Sequence, residues 1–177
     1  MCTAENFRAS TEFLLCMQCV QVDKRRVQGS DLGICMQRKE SPLPAITVST
    51  EKWPVVHQVF DGQQTDQDIS QFMRAWEEIM QRGKPCVILS EIRQYSSNPA
   101  HVKRLGEWAM RVESQMRAIC LGGAFVSNSG VFRFVLSSFL LLAPMPYEYT
   151  IVKDRGEAAE WLKAKAKESG LILPPQF

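Results

Sequence analysis

Two serine-rich turns are the places where this sequence is best equipped for chemistry. Tyr95-Ser96-Ser97-Asn98-Pro99 and Ser127-Asn128-Ser129-Gly130 each stand in front of an apolar helical pattern. The first turn of a helix leaves backbone N–H groups unpaired and carries the positive end of the helix dipole, so an anion placed before it is stabilised. A phosphate on Ser96 or Ser97 would gain from that field, and the second turn offers the same to an anion or a small polar ligand. Ser and Asn are also the residues that cap helices, so plain capping is the competing reading at both turns.

Other candidate groups are sparse. Asp61, Glu91 and Glu148 are a conceivable carboxylate set for acid–base work, but nothing in the sequence brings any two together. His57 alternates with Val55 and Val59, as expected of a satisfied, partly buried histidine on a strand. With His101 as the second imidazole, a Cys-His or Ser-His-Asp device is poorly supplied. There is no Gly-x-Ser-x-Gly elbow, and Gly122-Gly123 falls inside a strand pattern, where glycine permits close packing. Cys16-x-x-Cys19, with Cys2 and Cys35 standing alone, lacks the paired knuckles of a zinc site, so no metal and no cofactor are expected. Cys86 and Cys120 lie in apolar runs, where a free thiol behaves as a small hydrophobe.

These groups ride on a chain of 177 residues, 45% hydrophobic and 23% charged, which is the composition of a globular domain that needs no disulfide or metal. The net charge of +2 is far below what neutralising a phosphate backbone requires, so nucleic acid is not an expected main partner. Met1 to Ser10 has no secretory pattern, and the run Val131 to Ala143 carries Arg133 and stops at Pro144, short of the roughly 20 residues that span a bilayer. A cytoplasmic, reducing setting suits the six cysteines.

Residues 1–43 read as an extension, poorly ordered, ending at the punctuation Ser41-Pro42-Leu43-Pro44. The domain spans 44–177. Ile46-Thr47-Val48 and Val55 to Phe60 are β-branched strands in a hairpin-like pair, separated by Trp53-Pro54 and followed by Asp61-Gly62. Ile69, Phe72, Met73, Trp76, Ile79 and Met80 follow helical spacing, capped by Thr65 or Asp66. Cys86 to Leu89 is a central strand covered on both faces, leading into the polar segment Ser90–Ser97. Asn98-Pro99 starts a second amphipathic helix. Ala118 to Val126 is the next strand, and Val131 to Ala143 a helix packed deep. Tyr147 to Val152 is the last strand, and Asp154 with Glu157 opens the last helix. The order ββαβαβαβα calls for a mainly parallel five-stranded sheet flanked by four helices.

That order, with the strand end Ala124-Phe125-Val126, the polar turn and apolar helix after it, and the closing Tyr149-Thr150-Ile151-Val152 and Glu157-Ala158-Ala159-Glu160-Trp161-Leu162, resembles the SpoIIAA-like branch of the STAS superfamily, which borders on CRAL-TRIO lipid-binding folds. The resemblance covers about residues 44 to 169 and implies a bacterial, non-enzymatic regulatory or adaptor domain that docks a protein partner. In family members that antagonise anti-sigma factors, the switch is phosphorylation of a serine in an Asp-Ser-Ser-Gly-like turn. Here Ser96 and Ser97 match the serines, Tyr95 stands in place of the acid and Asn98-Pro99 in place of the glycine. In open α/β sheets ligands gather at the carboxyl ends of the strands. Glu91, Tyr95, Ser96, Ser97, Asn98, Ser127, Asn128 and Ser129 are therefore the expected partner- or ligand-binding residues, joined by Ser90 in one crevice. The CRAL-TRIO kinship implies the alternative, a module binding a small apolar or acyl-chain ligand in a cavity lined by Phe132, Val135, Leu136 and Phe139.

Overall fold

Runs of β-branched residues with opposite-parity polar partners settle into strands, and their pairing decides which side chains share a face. The computed structural model describes residues 44–96, 98–142 and 145–177, without the side chains of Phe139 and Leu142. The elements are β1 (Ile46–Ser49), β2 (Val55–Gln63), α1 (Asp66–Gln81), β3 (Cys86–Ser96), α2 (Pro99–Ile119), β4 (Cys120–Val126), α3 (Gly130–Leu142), β5 (Tyr149–Val152) and α4 (Arg155–Glu168). They form an α/β fold with one five-stranded sheet in the order β1-β2-β3-β4-β5. β1 is antiparallel to β2, and all later pairs are parallel. The expected hairpin-like pair and mainly parallel sheet are both present. Ser97 and the cysteines at 2, 16, 19 and 35 lie outside the described residues, as does the expected extension 1–43.

Two strands run further than their apolar cores suggest. β2 continues beyond Phe60 through Asp61-Gly62 to Gln63, and β3 continues past Leu89 to Ser96. Parallel pairing of Asp61, Gly62 and Gln63 with Gln94, Tyr95 and Ser96 holds both extensions, after a register shift at Phe60/Asp61. Gly62, at φ 103°, supplies the left-handed backbone there.

The register Val56↔Ile88, Gln58↔Ser90, Phe60↔Ile92 and Ser90↔Phe125 puts these residues on one face of the sheet. The opposite face carries Val55, His57, Val59, Val87, Leu89, Glu91 and Ala124. Each new parallel strand is laid beside the last, and crossovers of constant hand then put α1, α2 and α3 on the same side. Trp76, Ile79 and Met80 of α1 and Trp108, Val112, Met116 and Ile119 of α2 pack on Val56 and Ile88, while Leu136 and Leu140 of α3 pack on Ile92 and Phe125. α4 makes no crossover, and it covers the other face with Ala158, Leu162 and Ala166 on Val55, Val87, Leu89 and Ala124.

Local chemistry sets the helix ends. Thr65 caps α1 in a capping box with Asp68, Asn98 caps α2 with Pro99 behind it, and Asp154 caps α4 by accepting from the Glu157 N–H. Gly122 and Gly123 let neighbours approach the sheet closely. A Cβ on Gly123 would lie 2.7 Å from the Tyr147 ring, and one on Gly122 3.0 Å from the Trp161 ring.

The expectation that α3 packs deep needs correction. Its inner side is buried through Leu136 and Leu140, but Val131, Phe134 and Leu141 face solvent. The cause is position: α3 is the outermost crossover, with the sheet beneath it and no described element above it.

Candidate functional site

At the start of α2 the chain is built for capping. The Asn98 side-chain oxygen accepts from the His101 backbone N–H at 2.8 Å. The His101 ring is buried, and its Nε2 lies 3.0 Å from Asp66 Oδ1, the first residue of α1. An ionised carboxylate accepts, so Nε2 carries the proton and donates, which ties the two helix starts together. His101 Nδ1 is then a buried acceptor without a protein partner. Ser96 closes β3, and its carbonyl accepts from the Gln64 N–H at 2.9 Å.

The second turn has the same architecture. Ser129 Oγ accepts from the Phe132 N–H at 3.2 Å, and the buried Ser127 accepts from the Ser129 N–H at 3.4 Å. Arg133 folds back to donate to the Ser127 carbonyl at 2.7 Å. Asn128 is exposed at the tip. Local N–H groups therefore occupy the Ser127 and Ser129 hydroxyls that sequence reasoning offered to a ligand, and at the first turn Asn98 is the cap.

Between the two turns runs a row of aromatic rings. Trp108 meets Phe72 at 6.0 Å between centroids, Phe72 meets Phe60 at 5.8 Å, Phe60 meets Tyr95 at 6.3 Å, and Tyr95 meets Phe132 at 6.2 Å. These tilted and edge-on contacts are the favourable arrangements for aromatic quadrupoles. The row links the Tyr95 segment to the first turn of α3, and along the length of that helix Val131, Phe134 and Leu141 point outward, with Phe134 74% and Leu141 81% exposed. α3 carries no acidic residue in its first turn and no basic one in its last. One flank of the helix thus makes core, and the other presents large apolar groups to water.

Glu91 does not belong to this surface. It sits on the opposite face, where His57 Nε2–H donates to its Oε1 at 2.9 Å, Arg155 Nη1 lies 3.5 Å from the same oxygen and Arg93 Nη2 3.4 Å from Oε2. Arg93 also reaches Asp61 at 3.6 Å. The Glu91 side chain is 13% exposed and that of His57 26%. Three cationic or donor groups around one nearly buried carboxylate satisfy the rule that buried charge must be paired. Glu148, by contrast, pairs with Lys165 at 2.7 Å on another part of the molecule. Ser90 is also removed from the expected crevice: it is fully buried and accepts from the Gln58 amide, whose oxygen accepts from Trp76 Nε1–H at 3.1 Å.

The single strand-end crevice expected from sequence is therefore two regions. Tyr95, Ser96, Asn98 and the Ser127–Ser129 turn flank the aromatic row, whereas Glu91 belongs to a charge cluster behind the sheet. Sequence reasoning missed Phe134 and Leu141, because a uniformly apolar helix does not reveal which flank is outward. It also missed Arg93 and Arg155, although the shared parity of Glu91 and Arg93 was a readable signal. No protein-family profile, curated protein or solved structure matches this chain. Among the described residues, no three His, Cys, Asp or Glu side chains are grouped to hold a metal ion, and no helix is long and apolar enough to cross a membrane.

Proposed function

We propose that this chain is a non-enzymatic regulatory or adaptor domain of SpoIIAA-like STAS type, which docks a protein partner on the outer flank of α3 and the adjoining Tyr95 ring. The observation that carries this reading is the exposure of Val131, Phe134 and Leu141 in one stripe of α3, a helix whose first turn also sets Phe132 against the Tyr95 ring. Aromatic anchors beside apolar groups are the usual energetic centre of protein interfaces, and burying one such side chain contributes roughly 1.5–3 kcal/mol. The composition, with its near-balanced charge, favours a protein partner over nucleic acid. Ser96 closes β3 directly after Tyr95, and phosphorylation within the Ser96-Ser97 sequence would add negative charge ahead of the α2 start and alter docking.

The test is native mass spectrometry of the protein purified gently from its own host, beside Phe134→Glu. The expected result is a stoichiometric protein partner that the substitution abolishes, while thermal stability changes by no more than about 0.5 kcal/mol, as for other surface substitutions. A covalent gain of about 80 Da on the Ser96–Ser97 segment would mark the switch. A complex indifferent to Phe134→Glu would overturn the surface assignment. An extra mass of a few hundred daltons lost on denaturation, with no protein partner, would favour the acyl-ligand reading instead.

A further inference from the structure

The first residue of β3 and the first residue of β4 are both cysteines, and the parallel register sets them side by side as Cys86↔Cys120. Both thiols are free and both point into the apolar layer beneath α1 and α2. They hydrogen-bond each other: the Cys120 S–H donates to Cys86, which lowers the Cys86 thiol from its ordinary value and raises that of Cys120. Tyr147, whose ring lies over Gly123, completes the surroundings.

Three features of this pair go beyond packing. Neighbouring strands lie about 4.8 Å apart, inside the Cα separation of about 4.4–6.8 Å that a disulfide spans. The sheet is irregular at this point, with a register shift between Cys86 and Val87 that leaves Leu121 as the extra residue of β4. A bulge bends and twists its strand, which gives the two Cβ atoms latitude to close to the roughly 3.8 Å of a disulfide. Finally, both residues stand at the amino-terminal margin of the sheet, and the exposed Gly83-Lys84-Pro85 loop leads directly into Cys86.

We propose that Cys86 and Cys120 are a reversible thiol–disulfide site, oxidised by hydrogen peroxide to a cross-strand disulfide between β3 and β4. Cys86, as thiolate, attacks one peroxide oxygen. The O–O bond breaks, hydroxide leaves and takes up a proton, and Cys86 becomes a sulfenic acid. Cys120 sulfur then attacks the Cys86 sulfur, its proton passes to the departing hydroxyl, and water leaves. Two thiols and one peroxide give one disulfide and two waters, with the thiols oxidised by two electrons and the peroxide reduced by two. The bond would lie between directly opposed strands at a bulge, a strained setting that keeps it reducible by thiols.

The experiment uses the full chain with Cys2, Cys16, Cys19 and Cys35 changed to serine, so that the only thiols are the pair in question. The folded protein is exposed to hydrogen peroxide, alkylated in denaturant, digested and mapped by mass spectrometry. The expected product is a linked peptide pair carrying Cys86 and Cys120, about 2 Da lighter than the sum of the thiol forms and released by a thiol reductant. Cys120→Ser in the same background is expected to leave Cys86 as a sulfenic acid that dimedone traps. Thiols that remain fully alkylated, over-oxidation with no linked peptide, or linking that requires urea during the peroxide step would each overturn the proposal.

Discussion

The two faces of the sheet solve the burial of polar groups in opposite ways. In the middle of the face covered by α1, α2 and α3, the polar groups are neutral and sealed: Trp76 donates to Gln58, and Gln58 donates to Ser90, all buried. On the α4 face the polar groups are ionised and kept at the carboxyl ends of the strands, where Glu91 collects His57, Arg93 and Arg155. The difference follows from coverage. Three helices shut water out of the middle of one face, so that only uncharged hydrogen bonds are affordable there, whereas α4 packs over β3, β4 and β5 and leaves His57 and the guanidinium groups in contact with solvent.

Substitutions that attack each face should separate these two regimes. Trp76→Ala removes a fully buried ring and strands the Gln58 oxygen, and an unfolding free energy lower by about 3–5 kcal/mol is expected from denaturant titration. Gly123→Ala drives a methyl group into the Tyr147 ring and should cost about 1–3 kcal/mol. Combining it with Tyr147→Ala should recover part of that loss, and strict additivity in the double-mutant cycle would show that the ring is not what the glycine accommodates. Smallest of the three, Glu91→Gln leaves the hydrogen bonds of a polar side chain but removes the charge that His57, Arg93 and Arg155 share. A loss of about 1–2 kcal/mol is expected. A loss as large as that of Trp76→Ala would mean that the α4 face is as sealed as the other.

The sequence carried the order of elements, the hairpin-like pair, the caps at Asn98 and Asp154, a choice of Thr65 or Asp66 that the structure resolves to Thr65, and the close-packing role of Gly122 and Gly123, because each is encoded within a few residues. What it did not carry depends on register and coverage. His57 and Glu91 become diagonal neighbours only when β2 and β3 pair with Val59 opposite Glu91. Arg155 reaches the cluster from the start of a helix more than sixty residues further along. The outward flank of α3 was hidden for a related reason: Val131, Phe134, Leu136 and Leu140 are equally apolar, and only the sheet beneath decides which of them are core. Assigning Ser90 to a crevice failed because β3 runs on as a strand, which turns its side chain inward beside Gln58.

The strand order β1-β2-β3-β4-β5 repeats the order of the chain. Every strand pairing therefore joins neighbours in sequence, and no strand must wait for a distant segment to be inserted beside it. The sheet can grow from one side to the other, each strand templating the next, with loop-closure entropy limited to one connection at a time. Among the described residues its two edges, β1 and β5, are also its shortest strands at four residues each, which gives a foreign strand little backbone to extend. Chain order and short borders together make this a sheet that assembles by accretion and stops where the strands run out.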